Sequence, residues 1–548
     1  MRNFLIALSL YCDVGAAAVI GQRANAAAST NITVESVAPN DAAGPIDPAF
    51  AGLAFEERSF YYYFGTTNNT NTFSKNLVNV IAEKTKTQPI IRVGGTSLYD
   101  PRMTTHNQVR PDHLMKYCRD HSTYNPHQKK PILVPPGQGP HGIPSDLTLG
   151  PSYFDTFATL PNARYIVDIP LASNNLTNSK EFAKAAYERI GPSNIFAFEI
   201  GNEVNNYGHD IRKHWSIPKY ISQWSNWSKQ ILNTLGLSQD DKIYQAVALS
   251  SEEGPEHLPG DPKSDWKIPT IFRQGLNKTE SRIKSVSIHY YQTKANHKSS
   301  LQNDIMNHGV VVRGSAFVKD AVKYLNKQKP PIPLALAEVG NALGNKTNDS
   351  GLENVLGDSL WQADFFLYSM SINVSRINYQ SGLTFPFSLW NPAYNNTPAG
   401  VHAAFYGQVF AAEFIGTAED VRVKEIDLKD NFLTAYAAYD NKKLARIAIN
   451  NLNLWSGDPK SAPSRPSRNI TLSIGDDAKS IEVKKLTSPF GGTASTEQNI
   501  TWGGMEWTAD SNGQGVQVLN DTVTLPVHEG VVDIKVNASE AIMAFVQY

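Results

Sequence analysis

Cysteine is nearly absent. The 548 residues contain two, Cys12 and Cys118, and Cys12 falls in a leader-like N-terminal stretch. A mature chain with one cysteine has no internal disulfide, so a large core must supply its stability. Charge of one sign is missing as well. Fifty Lys and Arg against 51 Asp and Glu leave a net charge of −1 and a pI of about 6.9, which provides no field for gripping nucleic acid or another polyanion. Nor does any apolar run reach the ~20 residues that a membrane span needs. These absences exclude a nucleic-acid partner and a membrane partner, and they leave a neutral or modestly charged ligand as the expectation.

The start, MRNFLIALSLYC, has an early Arg and a short apolar run, followed by small-residue sites such as Ala24-Asn25-Ala26. Residues 1–28 therefore read as a secretory signal peptide, and the mature protein as secreted and extracellular. Thirteen Asn-x-Ser/Thr sequons, from Asn31 to Asn537, fit a chain that carries N-linked glycans.

Length alone suggests two or three domains. Over residues 46–410 short apolar runs alternate with helix-like segments. The runs are 50–56, 89–95, 163–172, 195–203, 242–251, 283–291, 333–340 and 376–382. Continuous apolar character marks strands covered on both faces, and eight such strands alternating with helices predict a (β/α)₈ barrel, an α/β fold with its site at the C-terminal strand ends. From 411 to 548 the runs are short, β-rich and separated by turn residues, which predicts an antiparallel β-sandwich. NITVESV, within the segment 29–45, is expected to add an edge strand to it.

In FEIGNEVNNYGHD (198–210) an apolar run stops at a glycine and presents Asn202 and Glu203. A carboxylate after an apolar run is ordinarily a solvated strand end. Here the fourth strand ends in Glu203 and the seventh, PLALAEVG, ends in Glu338. Carboxylates at the mouths of strands four and seven lie across the barrel axis and can flank one bond. Hydrolysis of a glycosidic bond requires that arrangement, one carboxyl protonating the leaving oxygen and the other attacking the anomeric carbon.

Together, GNE (201–203), AEVGNALG (337–344), IRVGGT (91–96) and SVSIHYY (285–291) resemble glycoside hydrolase family 79, the β-glucuronidases and heparanases, the fungal exo-acting β-glucuronidases in particular. The resemblance implies Glu203 as acid/base and Glu338 as nucleophile of a retaining enzyme that removes terminal β-linked glucuronic acid, with or without a 4-O-methyl group, from oligo- or polysaccharides. It implies Asn202 on the sugar 2-hydroxyl, Arg92 holding the nucleophile ionised, and Tyr291, with Tyr290 as the register alternative, donating to that nucleophile. Glu56 would bind sugar hydroxyls. Gly344, Tyr379 and Gly382 would lie near the uronate carboxylate, where this chain departs from the family pattern.

No cofactor and no metal are expected. GQGPHG (137–142) matches a dinucleotide motif formally, but Pro140 and Pro144 break the helix that such a motif opens. SSEEGPEH (250–257) lacks the helical spacing of a zinc site and reads as an acidic loop at the barrel rim. The competing readings are a same-clan glycosidase acting on another sugar, an endo-acting heparanase-like enzyme, and a non-catalytic carbohydrate-binding relative. Basic clusters for a sulfated chain are missing, which disfavours the second; both carboxylates are present, which disfavours the third.

Overall fold

The computed structural model describes residues 29–95, 123–133, 147–207, 212, 214–250, 266–295, 298–343, 351–383 and 385–548. The expected signal peptide, GQGPHG, nearly all of SSEEGPEH and Gly344 lie outside them.

Eight parallel strands close into a barrel in chain order: β1 (Ala51–Glu56), β2 (Ile90–Gly94), β3 (Arg164–Ile169), β4 (Ile195–Ile200), β5 (Tyr244–Leu249), β6 (Ile283–Lys294), β7 (Leu334–Leu343) and β8 (Arg376–Ser381). They coincide with the eight expected runs, although β6 and β7 extend further past the barrel mouth. Helices cover the outside, and their ends follow local chemistry. Asn175 caps Leu176–Ile190 by accepting from Asn178 N, and Gly236, at φ 68°, closes Ile217–Leu235 in the left-handed conformation.

Two helices are buried nearly all round. In α1 (Leu356–Ser371) every residue from Leu356 to Met370 is buried, and α2 (Ala403–Ile415) is buried almost throughout. Both lie between the barrel and the C-terminal domain. Tyr436 of that domain donates to Asp364 of α1 at 2.6 Å, and Trp502 Nε1 donates to Glu413 of α2 at 2.9 Å. The barrel's last helix thus runs to Ile415, past the boundary at 410 suggested by the change in composition, because α2 supplies the floor on which the sandwich rests.

The sandwich has one large antiparallel sheet containing Val421–Ile426, Leu433–Asp440, Lys443–Asn451, Glu540–Gln547 and Ser480–Thr487. Facing it is a three-stranded sheet in which Ser29–Thr33 pairs parallel with Ser467–Ser473, which pairs antiparallel with Val531–Asn537. Ile32, Ile447, Ile470, Ile534 and Ile542 fill the space between them.

Inside the barrel, alternate side chains are polar. Gln245 Nε2 and Ser287 Oγ both donate to Glu199 Oε1, at 2.9 and 2.6 Å. Arg376 donates to Asn378 and Gln245 at 2.9 and 2.6 Å. Buried polar groups persist only when paired, and this ladder joins one end of the barrel to the carboxylates at the other.

Candidate active site

β4 ends at Ile200, and the backbone then turns through two residues of positive φ, Gly201 at 86° and Glu203 at 49°. A Cβ on Gly201 would meet the Leu171 side chain at 2.8 Å, so glycine serves both the close approach and the φ. A left-handed non-glycine residue is uncommon and is concentrated at functional sites; here it brings the Glu203 carboxylate over the barrel mouth. Asn206, in the short turn that follows, donates to Glu203 Oε2 at 3.3 Å.

Glu338 projects inward from β7. A register shift between Ile288 and His289 sets His289 opposite Glu338. His289 Nδ1 is 3.0 Å from Glu203 Oε1 and 3.6 Å from Glu338 Oε2. One oxygen of each glutamate and one His289 nitrogen lie within 4.8 Å of one another, and all three residues are buried. Such a donor set resembles a cation site, but the Arg92 guanidinium already bonds Glu338 and would repel a second cation.

Arg92, on β2, is fully buried and organises the group. Nε donates to Glu199 Oε2 at 2.8 Å, Nη2 donates to Asn202 Oδ1 at 2.6 Å, and Nη1 donates to Glu338 Oε1. Asp168 Oδ2 lies 3.7 Å from Nη2. Burial alone would weaken the guanidinium's hold on its proton, but Glu199, Glu338 and Asp168 together raise its pKa above the ordinary value. Glu199 is held ionised below the usual carboxylate range: burial opposes this, while Arg92, His289, Ser287 and Gln245 outweigh it.

Tyr291 donates to Glu338 Oε2 at 3.1 Å. Burial, then the nearby Glu338 and Glu203 carboxylates, push its hydroxyl pKa up. Gly340 makes room for it, since a Cβ there would meet the Tyr291 ring at 2.9 Å. Tyr290, one residue earlier, points to the outer layer, where its ring stacks on Phe365 at 4.6 Å and its hydroxyl donates to Gln292. Strand alternation thus selects Tyr291 and removes Tyr290 from the site. Glu56 closes β1, accepts from Gln380 Nε2 at 3.0 Å, and has no hydrogen-bond partner for its buried Oε2 among the described residues. Burial, then Glu338 and Glu203, push its carboxyl well above the usual range, with Arg92 opposing.

Two expected uronate contacts are placed elsewhere. Tyr379 faces outward: on β8 it is Asn378 and Gln380 that point inward, and the Tyr379 ring meets Phe366 of α1 at 6.5 Å. The Gly382 N–H already donates to Ser388 Oγ at 3.1 Å, and its carbonyl accepts from Tyr63. His289, Glu199 and Asn206 belong to the group but were not singled out from the sequence. Polar residues at alternate positions of buried strands, as in Ser285, Ser287 and His289, are the signal that points to two of them.

Residues 435–543 match the glycosyl hydrolase family 79 C-terminal beta domain. A beta-glucuronidase from Aspergillus niger is 27% identical over 541 residues, covering 94% of this chain and 93% of its own length. A beta-glucuronidase from Neurospora crassa is 27% identical over 549 residues, covering 90% of each chain. Among solved structures, a 4-O-α-L-rhamnosyl-β-D-glucuronidase from Fusarium oxysporum superposes with a TM-score of 0.77 at 18% identity, covering 94% of this chain and 100% of that one. A family 51 α-L-arabinofuranosidase from Bifidobacterium longum shares the fold at a TM-score of 0.56 and 13% identity, covering 95% of this chain and 99% of its own.

Proposed function

We propose that the chain, whose residues 435–543 match the family 79 C-terminal beta domain and which is 27% identical to two fungal beta-glucuronidases over most of its length, is a retaining exo-β-glucuronidase of that family that releases terminal β-linked glucuronic acid from glycans. The observation that carries this reading is the facing pair Glu203 and Glu338, with Arg92 donating to only one of them. The names of the two fungal relatives support glucuronate as the sugar.

In this mechanism Glu338, which accepts hydrogen bonds from Arg92 and Tyr291, attacks the anomeric carbon. Glu203 protonates the departing oxygen, then takes a proton from the water that releases the sugar. Two carboxylates with oxygens within 4.8 Å of each other leave little room for a water between sugar and base, which favours the retaining geometry of about 5–5.5 Å over the roughly 6.5–9.5 Å of inverting sites. Asn202, oriented by Arg92, is placed to meet the 2-hydroxyl.

Secretion with N-linked glycans belongs to the same reading. Of the eleven sequon asparagines among the described residues, ten are exposed; Asn537 is half-buried and donates to both oxygens of Glu540, at 3.2 and 3.1 Å.

Aryl β-glucuronide and aryl β-glucoside compared in one spectrophotometric assay test the substrate class. Turnover of the glucuronide with little of the glucoside is expected; the reverse would make the chain a neutral-sugar glycosidase. An NMR time course tests the stereochemistry, and α-glucuronate appearing first would refute retention.

A further inference from the structure

At the N-terminal end of the barrel, remote from the catalytic carboxylates, three cations gather on one ring. Arg164 opens β3, Phe196 is second in β4, Lys284 is second in β6 and Arg376 opens β8. Lys284 Nζ lies 4.2 Å from the Phe196 ring centroid, Arg376 Cζ 4.9 Å and Arg164 Cζ 5.3 Å. Among the described residues, none of the three forms an ion pair with a carboxylate.

Their hydrogen bonds go to neutral groups. Lys284 donates to the Phe196 carbonyl at 2.7 Å, and Arg376 donates through Nε and Nη2 to Asn378 and Gln245. These contacts fix the cations in place; Asp47 and Glu199 attract Arg376 from further away. A ring face attracts a cation only weakly, whereas like charges this close repel strongly outside bulk water. The repulsion registers on Lys284, whose pKa is lowered by burial, Arg164 and Arg376.

The cluster borders open space. A cavity of about 610 Å³ is lined by Phe196, Lys284, Arg376, Asn373 and Asp47, among others. Asp47 is the one acidic residue on its wall among the described residues, and its Oδ1 accepts from Ala49 N at 2.8 Å. Asp47 and Glu199 offset part of the charge on Arg376, but three cations against these two carboxylates leave an excess of positive charge beside a large space, which is suited to an anion.

We propose that this cavity is an anion site that takes a small oxyanion of the phosphate or sulfate class, held by Lys284 and Arg376 with Arg164 adding the third positive charge. The bound anion relieves the repulsion among the cations and stabilises the fold by mass action. Because it sits at the opposite end of the barrel from Glu203 and Glu338, it acts on stability and leaves turnover alone.

Thermal unfolding of the full chain in sodium phosphate or sodium sulfate, against sodium chloride at matched ionic strength, tests the site. A saturable rise in Tm is expected with either oxyanion. Lys284→Gln is expected to weaken half-saturation by about tenfold or more and Arg164→Gln by about threefold, with kcat on an aryl glycoside unchanged in both. Arg164 is exposed, so Arg164→Gln decides the matter if Lys284→Gln does not fold. No oxyanion-specific rise, or half-saturation unchanged in every variant that folds, would overturn the proposal.

Discussion

His289 Nδ1 stands 3.0 Å from Glu203 Oε1, inside a barrel mouth where both residues are buried. The imidazole thereby fixes the orientation of the carboxyl that must deliver a proton. His289→Ala is expected to lower kcat by about 10–100-fold on substrates with poor leaving groups, less than loss of the acid itself. The effect should shrink as leaving-group pKa falls. A plot of log kcat against leaving-group pKa, steeper in the variant than in wild type, is the check; parallel plots would mean that His289 serves only packing.

Glu203 and Glu338 should fail differently. Glu338→Gln removes the nucleophile and should abolish turnover of every glucuronide, whatever its leaving group. Glu203→Ala should cost about 10²–10⁴-fold on ordinary substrates, yet still react with 2,4-dinitrophenyl glucuronide, whose leaving group needs no protonation. Azide should then rescue turnover and yield a β-glucuronosyl azide. Rescue with retention in Glu338→Ala instead would exchange the two roles.

Glu56 offers a test of the electrostatics. Its folded-state pKa is raised by burial and by Glu338 and Glu203, so the folded state binds the extra proton. The group therefore disfavours folding increasingly as pH climbs from its unfolded value toward its folded one, by about 1.4 kcal/mol per pH unit. Glu56→Gln removes that dependence while keeping the shape. The Tm advantage of the variant should be small near pH 4 and grow toward neutrality. A difference that stays flat with pH would show that Glu56 is ionised.

His308 joins the two domains. Its Nδ1 is 3.0 Å from Asp364 of α1 and its Nε2 is 3.1 Å from Glu425 of the first sandwich strand. Burial opposes the charged form, but Asp364 and Glu425 outweigh it and push the pKa up to about 10. A raised histidine pKa gives stability fully present below the unfolded value, about 6.5, and lost as pH rises toward about 10. The contribution is of order 3–5 kcal/mol at its maximum. Melting curves from pH 6 to 10 should show His308→Gln less stable at the acidic end and close to wild type at the alkaline end.

The sequence alone determined the architecture and the two carboxylates. Both are local properties: a strand covered on both faces must be continuously apolar, and a carboxylate that interrupts or follows such a run falls at the barrel mouth. Arg92, a charge within a buried apolar run, was legible in the same way. Which side chains meet was decided by the tertiary structure. Tyr291 rather than Tyr290 reaches Glu338 because the parity of β6 is set by its pairing with β7, and His289 stands beside Glu338 because a bulge after Ile288 shifts that register. Tyr379 turns outward because Asn378 and Gln380 occupy the inward positions of β8. Glu199 looks like one more residue of an apolar run until the closed barrel places Arg92, Gln245 and Ser287 around it. Register, parity and the pairing of buried charges depend on residues a hundred or more positions apart, and only closure of the barrel brings those within hydrogen-bonding distance.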